Sequence, residues 1–233
     1  MTVQILEDRD ALARAVAHRL TERVDEVQRS TGRRPRLVLT GGTIANEVLR
    51  QLIGPVSLWR EVDYYWGDER YVAADDDDRN EKQAREAFLT RFEIPEERIH
   101  AMPAAGEYAS KDEAADAYAA RLPDSFDLVL LGVGPDAHVA SLFPGFPQLG
   151  EQQRRVVGVD GSPKPPPERL SLTYPVLNSA TAVWFVVAGE DKAAAVAAAL
   201  AGSPVEDAPA AGVRGVDETL WLLDTDSASR LPR

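Results

Sequence analysis

The sequence predicts a doubly wound α/β fold, with a largely parallel sheet and helices on both of its faces. Three observations lead there. Strand-length and helix-length patterns alternate along most of the chain. The segment 182–188 is an unbroken apolar run, and 126–131 is apolar except for Asp127, as expected of strands covered on both sides. Several strand candidates run directly into glycine-containing turns, where such sheets bind their ligands. The 233 residues suit one domain, spanning 1–233. There is no internal repeat, and the proline-rich stretch at 163–167 is too short to be a linker.

The elements follow in order. Over 8–29, Leu12, Val16, Leu20, Val24 and Val27 form one helical stripe, stopped by Thr31-Gly32. Pro35 precedes a short apolar run at 36–40, read as a strand, and Gly41-Gly42 then opens a helix at 43–52. A second strand at 62–66 ends in Gly67-Asp68-Glu69-Arg70. The acidic run 75–78 leads into a helix carrying Ala84, Ala87, Phe88 and Phe92 on one face, ended by Pro95. Ser110 and Glu113 form a capping box, and the helix it opens turns Ala114, Ala117, Tyr118 and Leu122 inward, up to Pro123. The strand at 126–131 is followed by the turn 132–138. Residues 144–168 are loop-rich, an irregular insertion with a strand candidate at 155–159; another follows at 169–173. The strand at 182–188, a helix at 192–200 and a last strand at 219–223 complete the pattern.

Composition narrows the function. Hydrophobic residues are 44% and charged residues 27%, enough for a sizeable core. With no cysteine, disulfides, thiolate metal sites and cysteine nucleophiles are excluded, and no cluster of metal-ligating residues stands out. The formal net charge of −12 argues against a nucleic-acid partner, which usually requires a basic face. It also means that an anionic ligand would need the few bases gathered where it lands. The N-terminus lacks the apolar stretch of a signal peptide, and no apolar run approaches the about 20 residues of a membrane span. A soluble cytoplasmic protein with no membrane partner is expected.

Four places carry candidate chemistry. Thr40-Gly41-Gly42-Thr43 joins a strand to a helix start; it is either an anion cradle of backbone N–H groups or a plain tight turn. It lacks the lysine and third glycine of the known nucleotide loops. Asp68, Glu69 and Arg70 at a strand end suit either a clamp for a hydroxylated, charged ligand or a surface ion pair. Of the three histidines, His138 alone follows a buried strand in a glycine-rich turn, with Asp136 placed to orient it. His18 falls on the polar side of the first helix, and His100 reads as packing or surface. The last group is Lys164 and Arg169 around the prolines, with Lys192 at a helix start, where it opposes the helix dipole unless an anion or water offsets it.

Residues 126–145, FDLVLLGVGPDAHVASLFPG, closely resemble the signature of 6-phosphogluconolactonases, a family related to glucosamine-6-phosphate deaminases. The resemblance covers nearly the whole chain, including Gly41-Gly42, the 66–70 segment, the helix start at 78–80, Arg98-Ile99-His100, 169–173 and 189–192. Two departures are visible: Thr43-Ile44-Ala45 stands where the family usually has Ser-Thr-Pro, and Ala137 where it usually has glycine. Deaminases that resemble this segment carry a glutamate five residues after the histidine; here that position is Phe143.

The resemblance implies hydrolysis of 6-phospho-D-glucono-1,5-lactone, without a cofactor or metal, on a small-molecule sugar-phosphate substrate; the alternatives are an amino-sugar-phosphate deaminase or isomerase, which Phe143 disfavours, and a non-catalytic sugar-phosphate sensor. It implies His138 as general base and then acid, with Asp136 orienting it. Backbone N–H groups of the glycine turn would face the oxyanion. Ser141 lacks the surroundings of a nucleophile elbow. Arg70, Lys164, Arg169 and Lys192 would take the phosphate, with Gly41, Gly42, Thr43 and Asp68 completing the substrate site.

Overall fold

The computed structural model describes residues 1–232. Its strands are β1 (Thr2–Leu6), β2 (Arg36–Leu39), β3 (Asp63–Trp66), β4 (Asp68–Arg70), β5 (Leu128–Leu131), β6 (Val156–Val159), β7 (Arg169–Leu172), β8 (Ala182–Val187) and β9 (Glu218–Asp224). Six of them form one sheet in the order β1-β9-β8-β5-β2-β3, and every pairing in it is parallel. Every residue of β5 and β8 is buried, as their unbroken apolar sequences require. The helices are α1 (Arg9–Thr31), α2 (Thr43–Arg50), α3 (Val56–Arg60), α4 (Asn80–Ala84), α5 (Lys111–Ala119), α6 (Tyr174–Leu177) and α7 (Ala193–Leu200). The doubly wound reading holds.

The strand order also locates the site. From β2 the chain moves outward to β3, then returns to place β5 on the other side of β2. Right-handed crossovers in opposite directions put their connections on opposite faces and leave a crevice at the strand ends between them. That crevice lies beyond the carboxyl ends of β2 and β5, which carry Gly41-Gly42 and the turn 132–138.

Helix α1 shows how sequence sets these elements. Asp8 caps it, accepting from the Ala11 amide at 2.7 Å. Gly32 ends it in a left-handed conformation (φ 65°), donating to the Gln28 carbonyl at 3.0 Å. Its predicted stripe of Leu12, Val16, Leu20, Val24 and Val27 is buried against the sheet. Ser110 caps α5 by accepting from the Glu113 amide at 3.1 Å. On α5, Ala115 is buried and Ala117 only half-buried, the reverse of a single inward stripe, because β6 covers a second side of this helix.

Two features differ from expectation. The segments expected as strands at 155–159 and 169–173 are not in the main sheet. With β4 they make a separate antiparallel sheet, β4-β7-β6. Gly67 joins the two: its N–H donates to Leu39 at 3.0 Å in the main sheet, and its carbonyl accepts from Leu172 at 2.9 Å in the small one. The loop-rich insertion is therefore a wall built onto the carboxyl end of the main sheet. The other feature is β1, which the reading of the N-terminus did not anticipate. It is an edge strand paired with β9, and Val3 and Ile5 stay 39% and 52% exposed. Among the described residues, no helix is long and apolar enough to cross a membrane.

Candidate active site

A cleft of about 420 Å³ opens at the crevice. Its walls come from the connections after β2, β3, β5 and β8, joined by Arg9 from α1. The size falls in the range of small-molecule sites.

The turn after β5 presents His138. The Gly134 N–H donates to the His138 carbonyl at 2.9 Å, and the Ala137 N–H to the Gly134 carbonyl at 2.9 Å, so the turn closes on itself. Asp136 Oδ1 accepts from His138 Nδ1 at 2.5 Å and from its backbone N–H at 3.4 Å. Burial works to raise the Asp136 pKa, but the hydrogen bond and charge of His138 outweigh it and hold the carboxyl below its ordinary range. Nδ1 is thereby committed as the donor, and Nε2 has no protein partner among the described residues. His138 lines the cleft; Asp136 stands behind it. Gly134 is needed for this approach, since a Cβ there would fall on the imidazole.

Ala137 has φ 63° and is buried. A left-handed alanine costs roughly 1 kcal/mol, a strain that glycine would not carry. Ala137→Gly is therefore expected to raise Tm by a few degrees, about 2–4 °C per kcal/mol for a chain of this size. Thermal unfolding monitored by circular dichroism checks it, and an unchanged or lower Tm would show that the turn carries no net strain at this position.

The small sheet supplies the basic wall. Its register sets Arg70 directly opposite Arg169, and Asp68 opposite Ser171. Like charges directly opposed across a strand pair are unfavourable unless something anionic lies between them. Burial lowers the Arg169 pKa, Asp68 opposes this, and Arg70 lowers it further. Strand alternation points Glu69 the other way, where it is fully buried and accepts from the amides of Arg70, Asn80 and Glu81 at 2.8, 2.7 and 2.9 Å. Burial raises its pKa to about 7, against the charge of Arg79 and these three bonds. The expected clamp thus reduces to Asp68 and Arg70, and Glu69 is a brace behind it.

Asp68 Oδ2 accepts from Ser141 Oγ at 2.6 Å, while the Ser141 N–H donates to Ser171 Oγ at 3.1 Å. The segment following His138 is so fastened to the small sheet. Ser141 is buried, with its hydroxyl spent on this bond.

The remaining predicted residues also converge. Gly41, Gly42, Thr43, Lys164, Arg169 and Lys192 all line the cleft. Gly42, at φ 101°, opens α2 with no side-chain cap, so the first amides of the helix stay available. Burial lowers the Lys164 pKa, and the neighbouring charge of Lys192 lowers it further. Arg169 is partly committed: its Nε donates to Pro166 at 2.8 Å, and its Nη2 to Lys164 and Pro165 carbonyls at 3.0 and 3.3 Å. It holds the loop that carries Lys164 as well as facing the cleft. Lys192 lies in a 3-10 turn (Glu190–Lys192) just before α7, paired with Asp191 at 2.9 Å. The buried Asp224 accepts from the Gly189 amide at 3.0 Å and anchors that turn.

The expectation for the turn amides narrows to two of them. The Gly134 amide is spent inside the turn, so it is not free for an oxyanion. The amides of Gly132 and Val133 have no protein acceptor among the described residues. Two lining residues were not foreseen as binding groups. Arg9, paired with Glu47 at 2.7 Å, is a fifth cation at the cleft. Asn80 enters it from α4.

Comparison with known proteins fits this architecture. Residues 7–221 match the family described as glucosamine-6-phosphate isomerases/6-phosphogluconolactonase. The chain belongs to this family. A 6-phosphogluconolactonase from Streptomyces coelicolor is 48% identical over 243 residues, covering 97% of this chain and 93% of that protein. One from Mycobacterium tuberculosis is 43% identical, covering 99% and 98%. The solved structure of 6-phosphogluconolactonase from Trypanosoma brucei matches with a TM-score of 0.86 at 26% identity, covering 99% of this chain and 98% of that one. The family description joins isomerases and lactonases, so the site must separate them. Here Phe143 is buried against His138, with ring centroids 4.5 Å apart. An apolar ring occupies the position where deaminases resembling this segment place a carboxylate.

Proposed function

We propose that this chain hydrolyses 6-phospho-D-glucono-1,5-lactone to 6-phosphogluconate, a step of the oxidative pentose phosphate pathway, using a water activated by His138. The observation that carries the reading is the Asp136–His138 pair at the edge of a cleft bearing five cations and two carboxylates.

With Nδ1 tied to Asp136, Nε2 removes a proton from water. The water oxygen bonds to the lactone carbonyl carbon, and the carbonyl electron pair moves onto its oxygen. In this reading the amides of Gly132 and Val133, which have no protein acceptor among the described residues, stabilise that oxyanion. As the carbonyl re-forms, the bond to the ring oxygen breaks, and His138 returns the proton to it as an alcohol. Asp136 supports the imidazolium between these steps. The new acid then ionises, leaving 6-phosphogluconate. No proton transfer here needs a group at Phe143, which favours ester hydrolysis over deamination.

Arg70, Arg169, Lys164 and Lys192 receive the phosphate, with Gly41, Gly42, Thr43 and Asp68 around the sugar. A dianion relieves the repulsion among these bases, which the net charge of −12 cannot do from a distance. The reading needs no nucleic acid, membrane or protein partner, and places the reaction in the cytoplasm.

The decisive assay follows freshly made lactone through a coupled reaction that consumes 6-phosphogluconate. Formation faster than spontaneous hydrolysis is expected, with no ammonia from glucosamine 6-phosphate. Decay at the buffer rate would overturn the reading. Arg70→Ala should raise KM about 10- to 100-fold, the worth of a charge-assisted contact, with a smaller change in kcat. An unchanged KM would place the phosphate elsewhere.

A further inference from the structure

We propose that Asn80 is a positioning residue: it fixes the direction of the Arg70 guanidinium while leaving its charge free for the phosphate. The inference rests on the lactonase reading and on Arg70 as an anion contact.

Asn80 is the first residue of α4 and is 2% exposed. Three bonds hold this residue, two of them through its side chain. Its backbone N–H donates to Glu69 Oε1 at 2.7 Å, and its Nδ2 donates to the Asp68 carbonyl at 2.9 Å. With Nδ2 so engaged, Oδ1 is turned to Arg70 and accepts from Nη1. Glu69 also takes the Arg70 amide at 2.8 Å, so strand and helix start share one brace. Gly41 closes the arrangement. A Cβ there would fall on Asn80 Oδ1 and come within 3.0 Å of Arg70 Nη1. The connections after β2 and after β3 meet at this amide.

The chemistry of the acceptor matters. A carboxylate at this position would pair with Arg70 and compete with any anionic ligand. The amide oxygen directs the guanidinium by dipole alone. Arg70 makes no ion pair with a carboxylate among the described residues, so its guanidinium charge is not already spent.

The test combines KM for the phosphorylated lactone with the inhibition constant of inorganic phosphate. It compares wild type, Asn80→Ala, Asn80→Asp, Arg70→Ala and the double variant Asn80→Ala/Arg70→Ala. Asn80→Ala should raise both constants about tenfold, the scale of one lost hydrogen bond to a charged group. Asn80→Asp, nearly the same shape, should weaken phosphate at least as much, because it neutralises Arg70. The double variant should be no worse than Arg70→Ala. Phosphate inhibition by Asn80→Asp equal to wild type, or an additive double variant, would overturn the proposal. If Asn80→Ala fails to fold, the Asp variant still decides. A wild type that does not turn over the lactone defeats the functional reading instead, and the phosphate constants then judge Asn80 separately.

Discussion

Replacing His138 with alanine is expected to lower kcat about 10³-fold, within the usual range for losing a general acid–base group, while binding of 6-phosphogluconate changes little. The reason lies in how few proton carriers reach the cleft. His18 sits exposed on α1, 3.3 Å from Glu22. His100 is stacked on Tyr65 and bonded to Asp63 at 3.4 Å, and it does not line the cleft. Asp68 is engaged by Ser141, and Asp191, the other lining carboxylate, is paired with Lys192. No other imidazole can take over. Product binding should survive because the phosphate contacts come from other side chains, Arg70, Lys164, Arg169 and Lys192. Asp136→Asn should also slow the reaction, since an amide cannot support the imidazolium charge. The measurement is single-turnover hydrolysis of fresh lactone, corrected for spontaneous decay, with product affinity by calorimetry. Near-normal turnover would remove His138 from the mechanism.

What was legible in the sequence depended on the distance between partners. Asp136 and His138 are two residues apart in a turn, so the pair could be read directly. The buried strands declared themselves as apolar runs, and the stripe on α1 by its spacing. The joining of Arg70 to Arg169 depends on an antiparallel register between segments about a hundred residues apart, and no local pattern encodes that. The family resemblance, not the spacing, brought these bases together. Glu69 illustrates a missed local signal. Treating 68–70 as a strand would have sent Asp68 and Arg70 to one face and Glu69 to the other. Arg9 had no such signal. It opens an ordinary amphipathic helix, and only the packing of α1 beside α2 carries it to the cleft.

Gly134→Ala is expected to reduce kcat about 10²-fold although glycine contributes no side-chain chemistry. The added Cβ would occupy the space of the His138 ring and lie 2.5 Å from Asp136 Oδ1, well inside contact distance. Either the imidazole or the backbone must move. The backbone resists, because the Gly134 amide and carbonyl are both bonded within the turn, each at 2.9 Å. The turn is also fixed from outside: the Ala137 carbonyl accepts from Ala210 at 3.0 Å. On the far side, Phe143 limits how far the ring can swing. Displacement should therefore fall on the 2.5 Å bond between Asp136 and His138. A shift of about 1 Å at a reacting group costs on the order of 10²-fold in rate, and overpacking adds about 1–3 kcal/mol of destabilisation. Gly150→Ala is the control, because a Cβ there meets nothing within 4 Å and the residue lies outside the cleft. A Gly134→Ala protein that folds, binds 6-phosphogluconate normally and turns over the lactone at the wild-type rate would show that the carboxylate–imidazole geometry is not what the rate depends on. Loss of kcat with product affinity retained would tie the rate to that geometry, since the substitution removes no group able to accept or donate the proton.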